Sequence, residues 1–200
     1  MLSRRQFLAT TTAALAAPAV HAQTADPRDA NLVDLPAGFA PARVNLQTEI
    51  ASGEIHVVPD QYRLYWTLPD FQAIRYFVGV GRDRLYESGE FYVGAKKEYP
   101  SWTPTPDMIE REPDHYGQYE DGMPGGPTNP LGARALYLFQ PDRGDTFLRI
   151  HGTHKPDTIG FDVSNGCARL VNAQIVDLYD RVPMDSRVVL HPKDIPNPIV

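Results

Sequence analysis

Between Tyr99 and Pro130, prolines stand at 100, 104, 106, 113, 124, 127 and 130, with glycines at 117, 122, 125 and 126. Proline lacks an amide hydrogen and clashes with the preceding helical turn, so this stretch can form neither a long helix nor a central strand. It can only be a long loop, with room for one helical turn at Met108 to Glu112. Trp102, Tyr116 and Tyr119 argue that the loop is ordered, because disordered segments are poor in aromatics. A long ordered loop in a compact domain usually carries function. It is expected to form a wall or lid over a groove.

Short alternating runs flank this loop. Glu54 to Val58 and Tyr62 to Trp66 alternate around the turn Pro59-Asp60-Gln61 and suggest a hairpin. Ala73 to Val80 and Gly89 to Ala95 precede the loop, and Ala133 to Phe139 and Thr146 to His151 follow it. Asn172 stands where it can cap a helix, whose apolar positions recur at Ile175, Val176, Tyr179 and Val182 and which Pro183 ends. Ser186 to His191 reads as a closing strand. The expected fold is mostly β and largely antiparallel, with one helix after the cysteine.

The N-terminus has a different character. Arg4 and Arg5 precede a short apolar run, Phe7 to Ala19, and small residues end at Ala22. This pattern reads as a secretory signal cut after Ala22. Ser3-Arg4-Arg5-Gln6-Phe7-Leu8 resembles a twin-arginine export signal, which is an address and not an anchor. The run is too short to span a bilayer, so the expected location is the periplasm, with no membrane span. Residues 23–49 read as an extension and 50–192 as one domain, leaving 193–200 as a tail. The net charge is −6, and two units more negative without residues 1–22. That balance argues against nucleic acid and anionic membranes as partners.

The chain has a single cysteine, Cys167. An exported protein uses cysteines mostly in pairs, so an unpaired one is a candidate reactive thiol. Its chemistry would need a base and amides that receive an oxyanion. His151 ends a strand upstream, and Gly152 beside it leaves a carbonyl open to orient the ring. Gly166 permits a sharp turn next to the sulfur, and amides around Asn165 to Cys167 could face a substrate carbonyl. Arg169 is placed to hold a carboxylate or to steady the loop. A metal site using His151, His154 and Cys167 is a rival reading, as is a non-catalytic wall-binding module.

His151-Gly152-Thr153, six residues, Gly160, and then Ser164-Asn165-Gly166-Cys167-Ala168-Arg169-Leu170 resemble the signature of the L,D-transpeptidase catalytic domain, the YkuD-like family. The segment Met123 to Leu138 resembles what many periplasmic members carry before the site. The resemblance covers about residues 50 to 192 and implies the family's β-sandwich or barrel-like fold. It makes Cys167 the nucleophile, His151 its base, and the Gly152 carbonyl the group that orients His151. Ser164, Asn165, Gly166 and Arg169 would bind substrate or support the oxyanion. Asn165 replaces a histidine found in many members, and Ala168 replaces Ile or Val.

The reaction implied is acyl transfer from a peptidoglycan tetrapeptide stem, with release of D-alanine and no metal or cofactor. The acceptor would be another stem, a D-amino acid or a protein lysine. With water as acceptor the enzyme would be an L,D-carboxypeptidase.

Overall fold

The computed structural model describes residues 37–200, so the expected export signal lies outside the described residues. Nine strands form one mixed sheet in the order β1-β4-β3-β2-β11-β6-β7-β8-β10. The elements are β1 (Ala42–Asn45), β2 (Ile55–Val58), β3 (Arg63–Leu68), β4 (Gln72–Phe77), β5 (Val80–Gly81), β6 (Gly89–Glu98), α1 (Pro106–Arg111), α2 (Pro113–Tyr116), β7 (Arg134–Gln140), β8 (Gly144–His151), β9 (Asp162–Ser164), β10 (Ala168–Arg169), α3 (Asn172–Arg181) and β11 (Arg187–Leu190). Strands β5 and β9 pair separately, in parallel. The fold is mostly β.

The β2–β3 hairpin and the antiparallel β6–β7–β8 run follow the alternation in the sequence. Two parallel pairings do not: β11 lies along β2, and β10 along β8. Parallel neighbours are brought together by long connections that local patterning cannot reveal. The third expected strand stops at Phe77, and Val80–Gly81 turns away to pair with β9. Ala42–Asn45, expected to lie in an irregular extension, instead pairs with β4 as the sheet edge. It is a four-residue edge strand in which Ala42 and Val44 are half-buried and Arg43 and Asn45 exposed, an alternation too short to stand out in the sequence. The end of the chain is also engaged. Ile199 is buried with Leu46, Val58, Tyr65 and Ala73 in a small second core, and the Gln47 amide donates to its carbonyl.

The main core contains Ile55, Leu64, Tyr76, Leu136, Ile150, Leu170, Ile175 and Leu178. Helix α3 packs its Ile175, Leu178 and Val182 side into this core and lies beside β7. The buried stripe is rotated from the one expected, since Val176 and Tyr179 are only partly buried. The last turn of α3 is closed from outside: Lys96 of β6 donates to the carbonyls of Tyr179 and Val182, both at 2.6 Å. A cation on the free carbonyls at a helix C-terminus satisfies orphan acceptors and complements the dipole.

One turn earlier on α3, Asp177 accepts from the hydroxyl of the fully buried Tyr76 at 2.6 Å. Asp177 is held in turn by Arg181 at 2.6 and 3.0 Å. Tyr76→Phe is expected to lower stability by about 1.5–3 kcal/mol, the range for a hydrogen bond to a charged group. Urea unfolding midpoints compared at equal slope would measure it.

Candidate active site

Strand β8 sets the geometry. Thr146, Leu148 and Ile150 face the core, so Phe147, Arg149 and His151 face the other way. Ala168 of β10 lies opposite Ile150 and is buried with it. The same alternation puts Cys167 and Arg169 on the face of Arg149 and His151. The nucleophile candidate, immediately before β10, and the base candidate, at the end of β8, sixteen residues apart in the chain, are therefore directed to one side of this parallel pair. Gly79 flanks this pair and exchanges two backbone hydrogen bonds with Arg169, at 2.8 and 2.9 Å.

The His151 ring is almost fully buried. Its Nδ1 lies 2.6 Å from the carbonyl oxygen of Gly152. For that contact to be a hydrogen bond Nδ1 must carry the proton, which leaves Nε2 as the basic nitrogen. Burial, followed by the charge of Arg169, pushes the imidazole pKa down to about 3. Cys167 is partly exposed and is the free thiol of the chain. Its sulfur is 3.9 Å from the carbonyl of Phe147. Burial of the sulfur raises its pKa, against the backbone amide of Arg149 and the charges of Arg149 and Arg169. The thiol and the imidazole thus both rest neutral.

The loop carrying the cysteine is held by its own serine. Ser164 is buried, donates its hydroxyl to the Cys167 carbonyl at 2.6 Å, and accepts from the Gly166 amide at 3.2 Å. Ser164, expected as oxyanion support, has its proton committed inside the loop, and so does the Gly166 amide. Both residues shape the turn. Gly166 has φ +120°, and a Cβ there would come within 2.8 Å of the Leu85 carbonyl oxygen. No other residue fits that turn without moving backbone.

Asn172 is the residue that sequence reasoning misplaced. It is the first residue of α3, and its side chain does not cap that helix. Its buried Oδ1 instead accepts from the amides of Ala133 and Thr153, at 3.0 and 3.2 Å. It thereby fixes the segment immediately after His151. The fit leaves no space at Gly152, where a Cβ would stand 2.2 Å from Asn172 Oδ1. Asn172→Ala leaves two buried amides unpaired and is expected to lower stability by about 2–4 kcal/mol. Thermal unfolding would show it, and acylation of Cys167 should slow in parallel.

The proline-rich segment is ordered around its aromatics. Trp102 pairs with Met123 through the backbone and meets the rings of Tyr116 and Tyr119 at 6.2 and 5.7 Å. It leans on the cysteine loop through Asn165, whose Nδ2 donates to Tyr116 at 2.8 Å and whose Oδ1 accepts from Arg111 at 3.0 Å. Glu112, between α1 and α2, makes an ion pair with Arg82. His154 has a buried Nδ1 without a partner among the described residues. Also among the described residues, no three His, Cys, Asp or Glu side chains gather as a group able to hold a metal, so the His151-x-x-His154 spacing assembles no ligand set.

A second pair of histidines lies elsewhere. His56 Nδ1 and His191 Nε2 are 3.0 Å apart, and His56 also meets Glu54 at 3.2 Å. Burial lowers the pKa of His56, and burial followed by His56 lowers that of His191 to about 4. For a histidine whose folded value is depressed, the unfolded state binds more protons between the two values, so stability rises with pH there. The contributions of His151 and His191 are complete above the unfolded value of about 6.5 and are lost as pH falls toward about 3–4, and that of His56 has the same sign. Melting temperature is expected to fall steadily below pH 6.5, before the main carboxylate titration. A melt series across that range checks it.

The model of the YkuD L,D-transpeptidase catalytic domain matches residues 52–190. The chain is 34% identical over 131 residues to an Escherichia coli protein named probable L,D-transpeptidase ErfK/SrfK, covering 64% of this chain and 40% of that one. It is 38% identical over 96 residues to E. coli probable L,D-transpeptidase YbiS, covering 48% and 29%. The chain spans about half or less of the length of these curated relatives. Among solved structures, a Brucella melitensis protein described as a probable carnitine operon oxidoreductase is 46% identical, with a TM-score of 0.53 over 74% of this chain and 91% of that chain. The Enterococcus faecium L,D-transpeptidase C442S mutant shares the fold, with a TM-score of 0.53 over 71% of this chain and 50% of that chain, at 16% identity. The fold, the match across the domain and the named relatives agree: the chain belongs to the YkuD family of L,D-transpeptidase catalytic domains.

Proposed function

We propose that this protein is a cysteine-dependent L,D-transpeptidase of the periplasm, acting on peptidoglycan tetrapeptide stems. The observation that carries the reading is the shared face of β8 and β10, which presents His151 and Cys167 together with His151 held as the Nδ1-H tautomer by Gly152. A thiol, an oriented base and nearby amides are the set needed for acyl transfer. The oxidoreductase name of the Brucella neighbour is not carried over, because this set matches acyl transfer directly.

In the proposed reaction His151 Nε2 takes the proton of Cys167 as the sulfur attacks the carbonyl of the L-centre of the stem's diaminopimelate residue. The amide of Cys167 receives the oxyanion, since that of Gly166 is already bonded to Ser164. Imidazolium then protonates the leaving amine, D-alanine departs, and a thioester remains on Cys167. An amine from a second stem, a D-amino acid or a protein lysine takes the acyl group. Hydrolysis of the thioester is the alternative outcome, giving an L,D-carboxypeptidase. Asn165 and Arg169 contact substrate or set the loop against it.

Because both partners rest neutral, the base works during attack and not from a preformed ion pair. The acid limb of the acylation rate is expected well below the ordinary imidazole value, toward about 3, and the alkaline limb above the ordinary thiol value. Single-turnover acylation measured across pH tests this. An acid limb near 6.5 would instead indicate an exposed imidazole. Incubation with disaccharide-tetrapeptides, with products identified by mass, separates cross-linking, exchange and hydrolysis.

A further inference from the structure

Arg169 is a half-buried cation that makes no ion pair among the described residues. Its Nε is buried and has no hydrogen-bond partner among the described residues, and none of the salt bridges among them involves it. Buried guanidinium groups are normally paired, because an uncompensated one loses its hydration for nothing in return. Its backbone is held on both sides, to Gly79 and to β8, so the side chain starts from a fixed point beside the cysteine loop.

A second guanidinium stands close by. The Arg82 amide donates to the Ser164 carbonyl at 3.0 Å, which brings Arg82 to the cysteine loop, and its charge is near enough to Arg169 to oppose it. Two cations turned toward one site in a chain of net charge −6 are not a general surface property. The carboxylate that meets Arg82 comes from Glu112, at the junction of α1 and α2. Both side chains of this ion pair are about one-third exposed. An exposed ion pair of this kind is worth at most about 1 kcal/mol, so another carboxylate can exchange with it. The remaining arginines near the sulfur are already engaged: Arg149 is bidentate to Asp145 at 2.6 and 2.9 Å, and Arg111 bonds Asn165.

We infer that Arg82 and Arg169 form a carboxylate-binding subsite beside Cys167, which selects acyl donors bearing a free carboxylate, and that Glu112 fills the Arg82 half of it in the unliganded protein. Arginine pairs suit planar carboxylates because the guanidinium fork matches both oxygens. The inference deepens the acyl-transfer reading and rests on it for the identity of the donor. On a stem peptide the carboxylate could be the terminal one on the departing D-alanine, or the side-chain one on the residue that is attacked.

The test uses the single cysteine and does not need turnover. Cys167 is alkylated at one fixed pH with iodoacetate and with iodoacetamide, each rate divided by that of N-acetylcysteine under the same conditions. Both reagents need the thiolate, so their ratio cancels thiol ionisation and reports charge recognition alone. A normalised preference for iodoacetate of about tenfold is expected, equivalent to about 1.4 kcal/mol, and it should shrink with added salt. Arg82→Ala should reduce the preference severalfold, and Glu112→Gln, a mild surface change, should increase it. A ratio near one in the intact protein, or a preference that neither variant moves, overturns the subsite.

Donor peptides amidated at one carboxylate or the other then show which of the two is read. The amide that slows acylation marks the recognised group. If no peptide is turned over while the iodoacetate preference responds to both variants, the acyl-transfer reading fails and the subsite stands. If peptides react equally well free and amidated and the ratio is flat, the subsite fails and acyl transfer stands.

Discussion

Cys167→Ala is expected to abolish acyl transfer while leaving the fold in place. The sulfur is the only thiol in the chain, and no other side chain on the β8–β10 face can form the thioester. The loss should therefore reach the detection limit of the assay, well beyond the effect of removing a residue that only assists. The fold should survive because the residue is partly exposed and the loop is held by Ser164 and Gly166, not by the sulfur. The replacement deletes a single sulfur atom from a half-buried residue and breaks none of the bonds that close the loop, so stability is expected to shift by no more than about 1 kcal/mol. Retained circular dichroism and melting temperature, with no product formed, is the expected combination. A variant that still forms product would overturn the cysteine-dependent reaction, and absence of product from the unaltered protein as well would leave a non-catalytic wall-binding module.

His151→Ala should have the second largest effect. Removing a positioned general base typically costs about 10²–10⁴ in rate. Here the cost belongs at the upper end, because burial raises the thiol pKa and leaves little thiolate at neutral pH to react unaided. The loss should appear in the acylation rate and shrink as pH is raised, since hydroxide can take over the deprotonation. That pH-dependent rescue distinguishes a missing base from a damaged fold, which alkali would not repair. His151→Ala also removes a nearly buried ring, so stability should drop too. His154→Ala is the control: its ring is not tied to the Gly152 carbonyl and should be replaceable with a small effect on rate.

Much of this architecture was legible before the structure. The β2–β3 hairpin and β6, β7 and β8 are long enough for alternation to show, and prolines limit the long loop to the short helices α1 and α2, each of which starts at a proline. The spacing from His151 to Cys167 pointed to a shared site, and parity along β8 and β10 now gives the physical reason they share a face. Elements of two or three residues, such as β5, β9 and β10, have no period to read. They exist because distant segments meet, and they are the ones that frame the cysteine loop.

The helix after the cysteine was found, but its stripe was turned, because Leu178 is buried where Val176 and Tyr179 were expected to be. Asn172 looked like a cap and proved to be a tie between three segments. Helix-cap chemistry is local, whereas the amides of Ala133 and Thr153 become its neighbours only through tertiary packing. Arg82 and Glu112 could not be connected with the site from sequence at all, since their ion pair joins the turn after β5 to the proline-rich segment.

The proposed reaction depends on acylation of Cys167 by a stem peptide. Intact-protein mass spectrometry after incubation with a disaccharide-tetrapeptide, stopped before the acceptor step, tests it most directly. A mass increase equal to the donor less D-alanine, located on Cys167 and absent in Cys167→Ala, is expected. An unmodified mass after prolonged incubation of folded protein, with no product in solution, would contradict it.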